Sequence, residues 1–203
     1  YHDMHRMLDL AQLNHYRDAS TLWQVAFWMD RLRSLTGRPF WNTETATSWF
    51  GSTAAGDPKP AGFCRANSWP TFALGGEATM YWLWRTHWAG QELMFSGVVS
   101  SCGRPLHIFP EVREIAAGLQ AAGPFLRETR PVASGLALHH SGRAHNLFLG
   151  QPMVQGLQYD EVLPNAYHPL IRAQLRPDLL DPAAELAGVT VLFSPFLPAL
   201  DEA

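Results

Sequence analysis

The stretch Arg38-Pro-Phe-Trp-Asn-Thr-Glu-Thr-Ala-Thr-Ser-Trp49 follows a turn at Thr36-Gly37, and its run Pro39 to Asn42 is aromatic and strand-prone. After Glu44 the residues become small and polar and then give way to Gly, Asp and Pro, so the chain leaves the strand there. One carboxylate, Glu44, is thereby delivered to a strand's C-terminal end, with Trp41, Trp49 and Phe50 nearby in sequence. Taken alone, the segment fits a strand-end glutamate in a surface loop slightly better than a catalytic one. The remainder of the chain decides between the two.

Upstream, Met7 to Tyr16 begins apolar and ends polar and aromatic, as a buried parallel strand with a functional tip would. Asp18 to Leu35 has Asp18 or Ser20 as a cap and Leu22, Val25, Ala26, Met29 and Leu32 at helical spacing, closed by Gly37. Downstream, Gly51 to Gly62 reads as a loop, and Phe63 to Gly75 reads as a helix that Pro70 would kink. Glu77 to Arg85 reads as a strand, with a polar loop running on to Ser101. Pro110 to Ala122 reads as a helix ended by Gly123-Pro124. This alternation predicts parallel α/β structure with long loops after the strand ends. At such ends (β/α)-barrel enzymes carry their catalytic groups, but three strands cannot close a barrel that needs eight.

From about Arg130 the texture changes. Pro131 to His140 reads as a strand, Leu163 to Leu175 as a helix and Leu186 to Phe193 as a second buried strand. A strand–helix–strand unit fits the opening of a small Rossmann-like or flavodoxin-like domain. No G-x-G-x-x-G accompanies it, which argues against a nucleotide role.

Composition narrows the function classes. The 203 residues are 47% hydrophobic with a formal net charge of −3 and no long basic run, so neither a nucleic-acid footprint nor a polybasic membrane patch is present. No apolar run approaches the ~18 residues of a membrane span. The start Tyr-His-Asp-Met-His-Arg has no apolar signal-peptide core and no initiator Met, which points to a chain beginning in mid-protein. Cys64 and Cys102 have no zinc-ligand spacing, and such sparse cysteine fits a reducing, cytoplasmic compartment. His139 and His140, with His145 nearby, invite a metal reading, but neighbours on a strand face opposite ways, so they read as surface and edge residues and no metal is expected. His15 can line a cleft or face the helix layer. All eight Trp fall between Trp23 and Trp88. Trp23 and Trp28 suit core packing, while indole faces gathered near strand ends suit carbohydrate stacking around a carboxylate.

Taken together, the segments resemble the glycoside hydrolase family 42 β-galactosidases over nearly the whole chain. Phe40-Trp-Asn-Thr-Glu44 resembles that family's seventh barrel strand with its nucleophile. Trp82-Leu-Trp-Arg85, with Gly90-Gln-Glu92 and Gly97-Val-Val99, resembles the eighth strand and the sugar-contacting loop. Gly103-Arg-Pro105, with Phe109 to Leu119, resembles the turn into the last barrel helix, and Asp181 to Pro198 resembles a strand of the second domain. The resemblance implies residues 1–129 as strands six to eight of a TIM (β/α)8 barrel and residues 130–203 as the start of a flavodoxin/Rossmann-like trimerisation domain. It implies no cofactor, a galactoside or oligosaccharide substrate, and a homo-oligomer, a trimer, in the full-length protein.

Carried over residue by residue, Glu44 is the nucleophile, Tyr16 lies beneath it and bonds it, Trp49 stacks on the galactosyl ring, Trp84 floors the subsite, and Glu92 accepts from sugar hydroxyls. Arg85 is either a cation serving Glu44 or a structural arginine. The sequence departs from the family where a His often follows Glu92 by three residues, since Phe95 stands there, and where Asn14 replaces an Asp. The family's acid/base belongs to an Asn-Glu pair, a dipeptide this chain lacks, so the chain alone is expected to be inactive. Two other readings remain: a non-catalytic sugar-binding or oligomerisation remnant, and a hydrolase of the same clan acting on another glycoside such as an α-L-arabinopyranoside.

Overall fold

The computed structural model describes residues 2–50, 57–93, 95–151 and 158–198. In chain order its elements are α1 (His2–Met7), β1 (Ala11–Asn14), α2 (Leu22–Thr36), β2 (Phe40–Thr45), β3 (Trp49–Phe50), β4 (Asp57–Pro58), α3 (Phe63–Ala73), β5 (Ala78–Tyr81), α4 (Phe109–Glu128), β6 (Leu136–His139), α5 (Gly142–Gly150), α6 (Tyr159–Arg172), β7 (Asp178–Leu180) and β8 (Val191–Phe193). They form α/β structure grouped in two compact units. One comprises residues 12–26 and 39–131; the other comprises 1–11, 27–38 and 132–203.

In the first unit the sheet runs β1-β2-β5, and β2 pairs with β5 in parallel. The aromatic and β-branched residues of β2 suit this half-buried position. Register is Trp41 with Ala78, Asn42 with Thr79, and then Thr45 with Tyr81, so Thr43 and Glu44 together face only Met80. This bulge resets the alternation of the strand: Asn42 and Thr45, three residues apart, are both buried. Thr45 is fixed on the helix side, where its Oγ1 accepts from Asn67 Nδ2 of α3 at 2.7 Å. Cys64 of α3 packs with Ile108, just before α4, and Ile115 of α4, covered by Tyr81 and Leu119.

Several predicted bounds shift. Met7 belongs to α1, and β1 is confined to Ala11–Asn14 because residues 2–7 close a helical turn first. Asp18 opens a 3₁₀ turn over Ala19–Thr21, its N–H donating to Thr21 Oγ1 at 3.1 Å, and α2 follows directly. Helix α3 passes through Pro70, and α4 passes through Pro124 to Glu128. A proline removes one donor without stopping a helix whose next residues, here Phe125 to Glu128, favour it. Strand β5 stops at Tyr81, four residues before the predicted end at Arg85. Residues 51–56 of the predicted loop and the side chain of Phe50 lie outside the described residues.

In the second unit β6 lies between β7 and β8, parallel to both. Ala137, Leu138 and Leu179 are completely buried between the strands' helices and loops, together with Tyr159, Leu163 and Tyr167 of α6 and Phe27 and Met29 of α2. The buried carboxylate of Asp30 accepts from Tyr167 Oη at 2.6 Å and from Arg176 Nε at 2.7 Å. Arg33 bridges to Asp178 at 2.5 Å.

His139 and His140 prove to be buried, against the expectation of surface positions. Strand alternation holds, but both faces of β6 are covered. His140 meets the rings of Phe27 and Tyr159, while His139 Nδ1 pairs with Ser194 Oγ at 3.0 Å. Helix α5, capped by Ser141 accepting from Ala144 N at 3.1 Å, and strand β7 are additions to the predicted elements, and α6 starts four residues before the predicted Leu163.

Candidate functional site

The C-terminal ends of β1, β2 and β5 carry the groups of interest. Strand pairing continues past β1, where His15 N–H donates to Glu44 O at 3.0 Å, so Tyr16 follows alongside the bulge. Its phenol donates to Glu44 Oε2 at 2.8 Å. Burial first, then the bond to Glu44 and the charges of Glu44 and Glu92, raise the Tyr16 pKa above its ordinary value, so at neutral pH the phenol is a donor. Glu44 Oε1 accepts no hydrogen bond among the described residues, which leaves one carboxylate oxygen held and the other open.

His15 turns into the interior. Its Nε2 lies 3.1 Å from Asn42 Nδ2, which also donates to Thr79 Oγ1 at 3.1 Å. Burial, aided by Arg17, lowers its pKa to about 4, so the imidazole is neutral and takes the interior alternative over the cleft. Asn14 Oδ1 accepts from Thr43 Oγ1 at 2.6 Å, which ties β1 to β2 one residue before Glu44.

The segment after β5 supplies the opposite wall. Trp82 N–H donates to Thr45 O at 2.9 Å, placing Trp82 beside the end of β2. The Trp82–Leu83 peptide bond is cis. The ring of His87 lies 6.1 Å from that of Trp82, and His87 Nε2 lies 3.5 Å from Glu92 Oε2. A turn bonds Phe95 N to Glu92 O at 3.1 Å, and the buried Phe95 ring meets the Tyr16 ring edge-on at 6.0 Å. Glu44, Tyr16, Glu92 and Phe95 are therefore one cluster, with His87 and Trp82 behind it.

Trp49 is half-buried in the antiparallel β3–β4 pair, its carbonyl accepting from Ser96 N at 3.3 Å and its buried indole N–H without a hydrogen-bond partner among the described residues. Trp84 is 60% exposed and packs at 6.4 Å against Phe109; no hydrogen bond or ring contact joins it to Glu44 among the described residues. Arg85 takes the structural alternative, donating through Nε to Ser101 O at 3.0 Å. Trp82 and His87 were given no role from the sequence; the signal for Trp82 is its place as the first aromatic beyond the strand's paired residues. Among the described residues no three His, Cys, Asp or Glu side chains gather as a metal would require, and no helix is long and apolar enough to cross a membrane.

A carboxylate held through one oxygen, open at the other and set among aromatic rings can act as a nucleophile or base toward a polyol. The sequence model of the family described as Beta-galactosidase, glycoside hydrolase family 42, matches residues 1–122. Beta-galactosidase YesZ of Bacillus licheniformis is 30% identical over 205 residues, covering 100% of this chain and 31% of that protein. YesZ of Bacillus subtilis is 29% identical over 199 residues, covering 97% and 30%. The chain thus spans about 30% of the length of these curated relatives. Among solved structures, β-galactosidase from Marinomonas ef1 superposes with a TM-score of 0.87 at 19% identity over 98% of this chain and 34% of that one. The enzyme from Rahnella sp. R3 superposes at 0.84 with 21% identity over 96% and 30%. At these identities the structural likeness is one of fold.

Proposed function

Because the chain belongs to the glycoside hydrolase family 42 β-galactosidases, we propose that Glu44 is the nucleophile of a retaining enzyme that removes terminal β-D-galactosyl groups. The observation that carries this is the 2.8 Å bond from Tyr16 Oη to Glu44 Oε2 at the C-terminal end of a parallel sheet. With Oε2 held, Oε1 attacks the anomeric carbon and forms a glycosyl ester as the glycosidic C–O bond breaks. The leaving oxygen takes its proton from a carboxylic acid outside this chain, ~5–5.5 Å from the nucleophile. The same acid, now a carboxylate, takes a proton from water, which attacks the ester and returns Glu44 as carboxylate. Glu92 accepts from sugar hydroxyls, Trp49 and Trp84 supply apolar faces, and no cofactor takes part.

In this reading residues 1–129 are strands six to eight of a (β/α)8 barrel with their helices. Residues 130–203 open a flavodoxin-like domain, which the placement of β6 between two later parallel strands supports. The complete protein is then a cytoplasmic homo-oligomer, a trimer built through that second domain.

The test is Glu44→Gln in the complete protein, assayed with an aryl β-D-galactoside. Turnover falls by about 10³-fold or more with the fold retained, since an amide cannot form the ester. Turnover within tenfold of the parent refutes the assignment. Phe95, a ring with no hydrogen-bonding atom, favours a second reading in which the preferred glycone is an α-L-arabinopyranoside. Comparing kcat/KM for the two aryl glycosides separates them.

A further inference from the structure

We infer that His87 is a positioning residue for substrate binding, acting through the carboxylate of Glu92. The inference rests on the reading of Glu92 as an acceptor for sugar hydroxyls. Two anions, Glu44 and Glu92, both act on the one phenol of Tyr16, so the cluster gathers negative charge where a neutral sugar must bind. A carboxylate in that setting is driven outward toward water unless a donor or cation holds it. Among the described residues the side chain that reaches the Glu92 carboxylate is His87, whose Nε2 is buried without a hydrogen bond and lies 3.5 Å from Oε2.

The imidazole is in turn placed by backbone. The loop that bears His87 and Glu92 is closed at its base by a clasp. Val98 N and Val99 N donate to Trp84 O at 2.9 and 2.8 Å, and Thr86 N and Thr86 Oγ1 both donate to Val99 O at 3.1 Å. Gly97 is needed in this clasp because a Cβ there would lie 2.8 Å from Thr86 N and 3.0 Å from Trp84 O. His87 is the first residue beyond the clasp on one side, and its ring is backed by Trp82. On the other side Phe95 N donates to Glu92 O at 3.1 Å, and the Phe95 ring meets that of Tyr16. With backbone hydrogen bonds on both sides of the pair, the His87 contact is what restrains the Glu92 side chain. Such restraint is present in the ground state and in the transition state alike, so its loss weakens binding more than chemistry.

The experiment uses the complete protein and an aryl β-D-galactoside, comparing parent, His87→Ala, His87→Gln, Glu92→Gln and the double variant His87→Ala/Glu92→Gln. For His87→Ala, KM rises about three- to tenfold while kcat stays within about twofold, as for loss of uniform binding. Gln at 87 restores part of the loss because its amide can donate to Oε2. In the Glu92→Gln background, His87→Ala adds less than about twofold to KM. An unchanged KM in His87→Ala, equal losses in kcat and kcat/KM, or effects that multiply in the double variant overturn the inference. If Glu92→Gln leaves KM unchanged, the role of Glu92 falls and the inference with it. If Glu92→Gln raises KM and His87→Ala does not, the inference alone fails.

Discussion

Replacing Tyr16 by phenylalanine removes one oxygen atom and leaves the ring that packs edge-on against Phe95 at 6.0 Å. What is lost is a 2.8 Å hydrogen bond to a carboxylate oxygen. Hydrogen bonds to charged groups contribute ~1.5–3 kcal/mol, and the part-exposed Glu44 admits water in place of the phenol, which favours the lower half of that range. If the bond holds Glu44 for attack, kcat/KM for an aryl β-D-galactoside falls about 12- to 40-fold in Tyr16→Phe, at 1.4 kcal/mol per factor of ten. Folding stability falls by less than about 1 kcal/mol, because water re-solvates the carboxylate. Steady-state kinetics with a good and a poor leaving group, alongside a urea melt, read both quantities. A change below twofold in kcat/KM refutes the view that this bond prepares the nucleophile. A stability loss that accounts for the whole activity loss refutes it equally.

Other expectations follow from buried groups. His15 and His140 are held neutral mainly by burial, with pKa values near 4 and 3 in the folded chain against 6.5 when exposed. As pH falls the unfolded chain binds these protons first, so their contribution is full above 6.5 and is lost progressively down to about 4 and 3. For His15 that loss is about 3 kcal/mol, visible as a falling urea midpoint from pH 7 to 4; a flat profile contradicts it. Arg176→Met removes one cation from the completely buried Asp30 carboxylate, which keeps the Tyr167 hydroxyl and Arg33 Nε at 3.5 Å, and lowers stability by about 1.5–3 kcal/mol in equilibrium unfolding; a cost under 1 kcal/mol would show that the pair is dispensable. Gly76→Ala puts a Cβ 2.8 Å from Thr71 O and 2.9 Å from the Phe40 ring, and a thermal melt reads a loss of about 1–3 kcal/mol.

Much of the chain up to Thr45 is legible because its signals are local. The aromatic run from Phe40 sits between Gly37 and a polar tail, and α2 has helical spacing with a glycine stop, so both elements fall within a residue or two of their predicted bounds on at least one side. Strand β5 reads too long from the sequence because Trp82-Leu-Trp is apolar, whereas the pairing with β2 ends where that strand ends. The bulge at Thr43–Glu44 leaves no mark in a single strand's sequence, since it exists only relative to Met80 across the ladder. In the second unit β7 has three residues, too few for periodicity to register, and α5 lies between two glycines. The burial of His139 and His140 depends on Ser194, Phe27 and Tyr159, all distant in sequence.

The site divides the same way. Glu44 was readable from its strand, and Tyr16, Glu92 and Phe95 through family resemblance. His87 and Trp82 emerge only when the loop after β5 closes on itself, because their partners are set by the clasp at Gly97–Val99.

The central claim is that Glu44 forms the covalent glycosyl intermediate. The most direct measurement treats the complete protein with an activated 2-deoxy-2-fluoro-β-D-galactoside, whose fluorine slows ester hydrolysis. The inactivated protein is then digested and its peptides are mapped by mass spectrometry. The account predicts one galactosyl adduct, on Glu44. An adduct on Glu92 or another carboxylate, or inactivation with Glu44 unmodified, contradicts it.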